Sequence, residues 1–188
     1  MQQIKVTDFP KPSSYGKAVK VGPASPLINW LILLFAFFLT GLATYQGAIS
    51  PWKLNWWQWS LSGVGFIALS LVVHELLHLV AHPKFGISKE SKFGAGLVFG
   101  VPALWVGYAG WVPKKRAIFI CLLPFAVLAV IAPLVGLFLG TKAGSFLSFV
   151  GGANFVASRK DIVNSIHISK SISPEIFESE SGYFEKDT

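Results

Sequence analysis

The chain has 188 residues, of which 53% are hydrophobic, 14% aromatic and 13% charged, and its net charge is +7. Soluble domains carry about a quarter charged residues. The composition therefore excludes a disordered tail and a coiled coil, and a single Cys excludes an internally disulfide-stapled domain. The apolar residues fall in long blocks rather than amphipathic periods, which argues against an ordinary soluble enzyme.

Residues 1–25 are polar, with Lys5, Lys11, Lys17 and Lys20 among several prolines. They read as a basic, flexible lead-in without a cleavable signal pattern, so the first apolar block is expected to remain as an anchor. That block, Pro26 to Tyr45, carries no charge. The second, Trp56 to Ala81, holds one acid, Glu75, and two histidines. The third, Ala117 to Leu139, is again uncharged, and a shorter fourth runs from Ala143 to Ala157. A helix needs about 20 apolar residues to cross a bilayer core. Three blocks meet that length, and the fourth completes the crossing with its flanks or stays half-inserted.

Between the second and third blocks lies His82 to Lys115, where Gly, Pro and aromatics recur every few residues. That pattern breaks helices and predicts short strands or a re-entrant loop. Irregular backbone at membrane depth needs protein or water to satisfy it, so this segment is expected to line a cavity. The expected fold is an all-α membrane protein of about four transmembrane helices with a short β-hairpin or re-entrant loop between the second and third. Three segments follow: a basic N-terminal segment 1–25, a polytopic membrane domain 26–162, and a polar, mobile cytoplasmic tail 163–188.

With four spans and a cytoplasmic N-terminus, fourteen of the sixteen Lys and Arg lie on the cytoplasmic side. Both termini are therefore expected inside, in a bacterial inner membrane by default, with an organellar or thylakoid membrane as the alternative. Orientation and anionic lipid explain the positive charge. No motif supports nucleic-acid binding, and the sequence does not set the oligomeric state.

The second block contains His74-Glu75-Leu76-Leu77-His78, the pattern H-E-x-x-H. Residues i and i+4 share one helix face, so both imidazoles can reach one Zn²⁺. Glu75 is turned aside from the metal and suits a general base acting on water. A chance match in a chain of this composition is about 0.4%. A carboxylate inside a membrane helix costs a few kcal/mol, so it points to function over a polar helix contact.

A third ligand is needed. His82 lies about 12 Å from His74 along a continuing helix, too far to share its ion, and is expected at the surface. His167 stands in the expected tail, and Glu90 is expected to be solvated. Asp161 follows the fourth block, at the same depth and on the same side as His74 and His78. Asp161 is therefore the expected ligand, against the alternative of a solvated charge beside Arg159 and Lys160.

HELLH in a membrane helix, followed far downstream by Asn154-x-x-x-Ser158-x-x-Asp161, resembles the intramembrane zinc metalloproteases of the site-2 protease type. It resembles more closely a smaller group of membrane zincins defined only as a domain of unknown function. The resemblance covers residues 60–165. It implies Asp161 as third zinc ligand and Asn154 as a hydrogen-bond partner of the substrate backbone. It also implies that the segment from Gly94 to Val112 guides substrate as an added strand. The chain departs from the site-2 pattern where FVASRK replaces a Pro-rich stretch and where Ile162, rather than Gly, follows Asp161.

The expected function is a zinc-dependent metalloendopeptidase acting on membrane or membrane-associated proteins. Zinc is held by His74, His78 and Asp161, with Glu75 as base and Asn154 beside the substrate. Tyr108 is weighed as a further donor, but a membrane anchor is the better reading of an interfacial tyrosine. Two alternatives stay open. One is a membrane-anchored zincin using Glu175 or Glu178 as third ligand. The other is a zinc-binding scaffold or pseudoprotease that does no chemistry.

Overall fold

The computed structural model describes residues 18–19, 25–48, 55–98, 101–139, 141–179 and 182–185. The expected N-terminal segment 1–25 lies outside them apart from residues 18–19 and 25. Chain contacts divide the protein into two compact units, Ala24–His74 with Pro124–Asp161, and Met1–Pro23 with Glu75–Leu123 and Ile162–Thr188.

The first unit is helical. Helix α1 spans Pro26–Ala48, and α2, Trp56–Ala81, begins in this unit. The third apolar helix, Lys114–Phe138, is α3 (Lys114–Pro124), a π-helical stretch Phe125–Ile131, and α4 (Ala132–Phe138). Pro124 cannot donate an amide hydrogen, and the wider π turns begin directly after it. Helix α5 spans Thr141–Ala157.

Small residues set how closely these helices pack, as in membrane bundles generally. A Cβ on Gly136 would lie 3.0 Å from the Gly144 Cα. The Ser145 hydroxyl donates to the Ala43 carbonyl at 2.7 Å, tying α5 to α1. Phe35 and Phe155 add a ring contact at 4.6 Å between the same helices.

Three helices are long and apolar enough to cross a membrane, over Pro26–Ala43, Leu61–Ala81 and Lys114–Phe138. Only 22%, 22% and 33% of these windows are buried within the protein. Leu27, Trp30, Leu34, Phe37 and Phe38 of α1 are 61% to 74% exposed, an apolar face suited to lipid. The fourth apolar block forms α5, whose 17 residues fall short of the other three, so the structure supports three spans by length and not four.

The second unit holds the strands. Helix α2 ends at Ala81, because Pro83 cannot continue it and Lys84, Phe85 and Gly86 all adopt left-handed backbone. Strands β2 (Ser91–Val98) and β3 (Val101–Tyr108) pair antiparallel, with Val98 opposite Val101 and Ser91 opposite Tyr108. This is the hairpin that the Gly- and Pro-rich segment predicts.

A four-stranded sheet in the order β1-β6-β5-β4 completes the unit, with β1 at Ala18–Val19, β4 at Trp111–Pro113, β5 at Glu175–Ser179 and β6 at Gly182–Glu185. Helix α6, Arg159–Ser169, enters the unit from Ile162 onward. Tyr108, Val112, Ala117, Cys121, Ile168 and Ile176 form the core. The C-terminal segment expected as a mobile tail is thus folded over its described residues. It buries Ile168, Ile176 and Phe177, and Lys114 Nζ donates to the Ser171 carbonyl at 2.7 Å.

Candidate metal centre

The continuous apolar run of α2 forms the helix, and its 3.6-residue period puts His74 and His78 on one face. Both are buried, 4% and 8% exposed. Helix α5 runs on through Ser158, whose amide donates to the Asn154 carbonyl at 2.8 Å, into α6. Asn154, Ser158 and Asp161 therefore stand at i, i+4 and i+7, on one face. Asn154 Oδ1 lies 3.2 Å from His74 Nδ1, and Asp161 Oδ2 lies 3.2 Å from His74 Nε2.

The hydrogen-bond partners fix a hydrogen on Nδ1 of each ring. Asn154 Nδ2 donates to the Val150 carbonyl at 3.0 Å, so the atom facing His74 is the amide oxygen. An amide oxygen only accepts, hence His74 Nδ1 carries the hydrogen. In the neutral ring, Nε2 then presents a lone pair toward the Asp161 carboxylate. His78 follows the same logic. Its Nδ1 lies 2.8 Å from the Ile120 carbonyl, which accepts, so in the neutral ring the lone pair is on Nε2. Pro124, four residues on, has no N–H to offer that carbonyl.

One ligand atom from each of His74, His78 and Asp161 lies within 4.8 Å of the other two. With the His74 ring protonated, Nε2 and Asp161 form an ion pair, and a metal ion among the three ligand atoms would take the place of that proton. Tetrahedral zinc with bonds near 2.0 Å spaces its ligands about 3.3 Å apart, against the 3.2 Å between His74 Nε2 and Asp161 Oδ2. The residues present therefore fit a zinc ion. His74 and His78 each bind an acceptor through Nδ1, the arrangement that orients imidazole ligands elsewhere.

Glu75 is half-buried beside this face, and its Oε2 accepts the Val106 amide hydrogen at 2.8 Å. Val106 thus turns its N–H away from β2, and by the antiparallel alternation Leu104 turns the same way. Ser158 is fully buried on the Asn154–Asp161 face, and its hydroxyl has no hydrogen-bond partner among the described residues.

The remaining residues considered from the sequence divide clearly. His82 is not at the surface as expected. It is fully buried, its ring nitrogens lack partners among the described residues, and its ring packs 5.2 Å from that of Tyr108. Arg116 covers it, donating from Nε to the Ala81 carbonyl at 3.0 Å and from Nη2 to the His82 carbonyl at 2.8 Å. Burial first, then the nearby His78 and Arg116, lowers the His82 pKa to about 4. Glu90 is exposed, and hydrogen bonds from backbone and Ser88 lower its pKa. Burial, then the charge of Glu90, raises that of Tyr108.

His167 is half-buried on α6, and neither it nor Glu175 joins the cluster among the described residues. The Glu178 side chain lies outside the described residues. Sequence reasoning missed the Val106 amide and the Ile120 carbonyl. The signal for the carbonyl was Pro124 inside an apolar helix.

Two histidines one helical turn apart and a distant Asp thus form a group that could hold a metal ion, with Glu75 between the histidines in sequence. Residues 67–173, more than half of the chain, match the family DUF3267, described as "Putative zincin peptidase". The chain belongs to that family. No curated protein and no solved structure matches it significantly.

Proposed function

We propose that the chain is a membrane-embedded zinc metallopeptidase that hydrolyses peptide bonds of membrane or membrane-associated proteins. The observation that carries this reading is the convergence of one ligand atom each from His74, His78 and Asp161, with Glu75 next to His74 on the same helix. Two neutral imidazoles and one carboxylate form a catalytic zinc set that leaves a fourth position open. Zinc, when bound, supplies a Lewis acid that acidifies water and polarises a carbonyl.

The chain's own residues do the rest. Glu75 takes the proton of the attacking water at its carboxylate and delivers it to the leaving amine nitrogen. Asn154 and the Ile120 carbonyl hold the two imidazoles in the tautomer that binds metal. In this reading Asn154 orients a ligand, and its oxygen is already engaged rather than reserved for substrate. The outward edge of β3 at Leu104, beside the Val106–Glu75 hydrogen bond, accepts an extended substrate strand.

The same reading places α5 as a fourth, shorter crossing and both termini in the cytoplasm of a bacterial inner membrane. The basic residues support this through the positive-inside bias. It also groups the chain with the site-2 proteases through Asn154 and Asp161. The test is cleavage of a reconstituted single-span substrate by zinc-loaded protein. Wild type cleaves, whereas Glu75→Gln retains zinc and does not. Equal cleavage by Glu75→Gln would refute the base, and zinc binding without cleavage by wild type would favour a scaffold.

A further inference from the structure

Helix interiors rarely tolerate proline, because it removes an amide donor and strands the carbonyl four residues earlier. Pro124 stands inside α3, and the carbonyl it strands is that of Ile120, a buried residue. A buried carbonyl without a donor is unfavourable. Here the carbonyl is not stranded. The His78 Nδ1–H occupies it at 2.8 Å, and 42 residues separate the two partners.

The two groups need each other. An imidazole that is to offer Nε2 to a metal must keep its hydrogen on Nδ1 and donate it somewhere. An ordinary residue at position 124 would supply its own N–H to Ile120 and compete for that acceptor. We infer that Pro124 is a positioning residue of the metal centre. By withholding its amide hydrogen it reserves the Ile120 carbonyl for His78, and so fixes the ring rotation and tautomer that present Nε2. The inference rests on the reading of His78 as a zinc ligand.

Pro133 provides an internal control. It lies in the first turn of α4 in the same apolar helix and is also buried, but the π turns before it pair each amide with the carbonyl five residues back, as Ala132 N–H does with Val127, so its missing N–H falls on the Leu128 carbonyl. The partner of His78 Nδ1 is the Ile120 carbonyl, one turn from Pro124 and not from Pro133.

The test compares zinc affinity, by chelator competition on the full chain in detergent, for wild type, Pro124→Ala, Pro133→Ala and His78→Ala. Pro124→Ala is expected to weaken zinc binding about ten- to a hundredfold, the usual effect of losing a partner that orients a metal ligand. Pro133→Ala is expected to bind as wild type. Thermal unfolding of the zinc-free proteins separates positioning from damage, with Pro124→Ala expected to be at least as stable as wild type. Nitrogen-15 spectra of the zinc-free protein give a further signature, with the His78 ring a single Nδ1–H tautomer in wild type and a mixture in Pro124→Ala.

Wild-type zinc affinity in Pro124→Ala would overturn the inference. So would equal losses in both proline variants. Wild-type affinity in His78→Ala would show that His78 is no ligand, and would remove the underlying reading as well.

Discussion

His74 and His82 stand two helical turns apart in sequence, and both are buried, yet their surroundings are opposite. Both His74 nitrogens have partners, an amide oxygen on one and a carboxylate on the other. Neither nitrogen of His82 has one among the described residues, and its neighbours are the Tyr108 ring and a guanidinium bound to its own carbonyl. Burial alone therefore does not make a histidine a ligand. What separates the two is whether one nitrogen is held by an acceptor while an acid faces the other. His78 meets the first condition through Ile120 and lies within reach of the same acid. At His82 the electrostatics oppose a cation, since Arg116 already supplies one.

The largest effects that would break this contrast lie at the ligands and the base. Glu75→Gln is expected to lower peptide hydrolysis by about 10²–10⁴-fold with zinc retained, read from cleavage rates beside metal analysis. Asn154→Ala removes the acceptor that fixes the His74 tautomer. Zinc affinity is expected to fall about ten- to a hundredfold, and unchanged chelator titrations would contradict that role.

Val106→Pro deletes the N–H that Glu75 accepts while leaving the β2-facing bonds of β3 intact. Proline is tolerated on an outward strand edge. The hydrogen bond is worth about 1 kcal/mol, so kcat/KM is expected to fall several-fold with zinc content unchanged. A change in zinc content instead would show that Val106 supports the ligands.

The smallest effect concerns His82. Unfolded, it takes a proton near 6.5, and folded only near 4. The unfolded state then binds more protons between those values, so His82 lowers stability as pH falls from 6.5 toward 4 and has no such effect above 6.5. Thermal unfolding of zinc-free His82→Phe is expected to show a flatter slope across that window. Parallel wild-type and variant curves would show that another group sets it.

Much of the centre was legible because it is local. HELLH on a helix places two imidazoles on one face whatever surrounds them. Asp161 followed from matching depth across the membrane. The hairpin followed from Gly and Pro in the segment after α2.

Other features depend on pairings between distant residues. Strand β5 packs on β4, so Ile176 and Phe177 are buried by partners more than sixty positions earlier, and a stretch of five residues between polar neighbours carries no periodicity long enough to read. His82 was misplaced for the same reason. Arg116 and Tyr108, which cover it, follow it by 34 and 26 residues. The π-helical stretch after Pro124 was concealed inside an uninterrupted apolar run.

The central claim is that His74, His78 and Asp161 hold one zinc and His82 holds none. Its most direct test is the zinc content of detergent-purified wild type, His78→Ala, Asp161→Ala and His82→Phe after metal is offered and excess removed. The account predicts about one zinc per chain in wild type and His82→Phe, and little in the other two. Zinc retained in Asp161→Ala, or lost in His82→Phe, would contradict it.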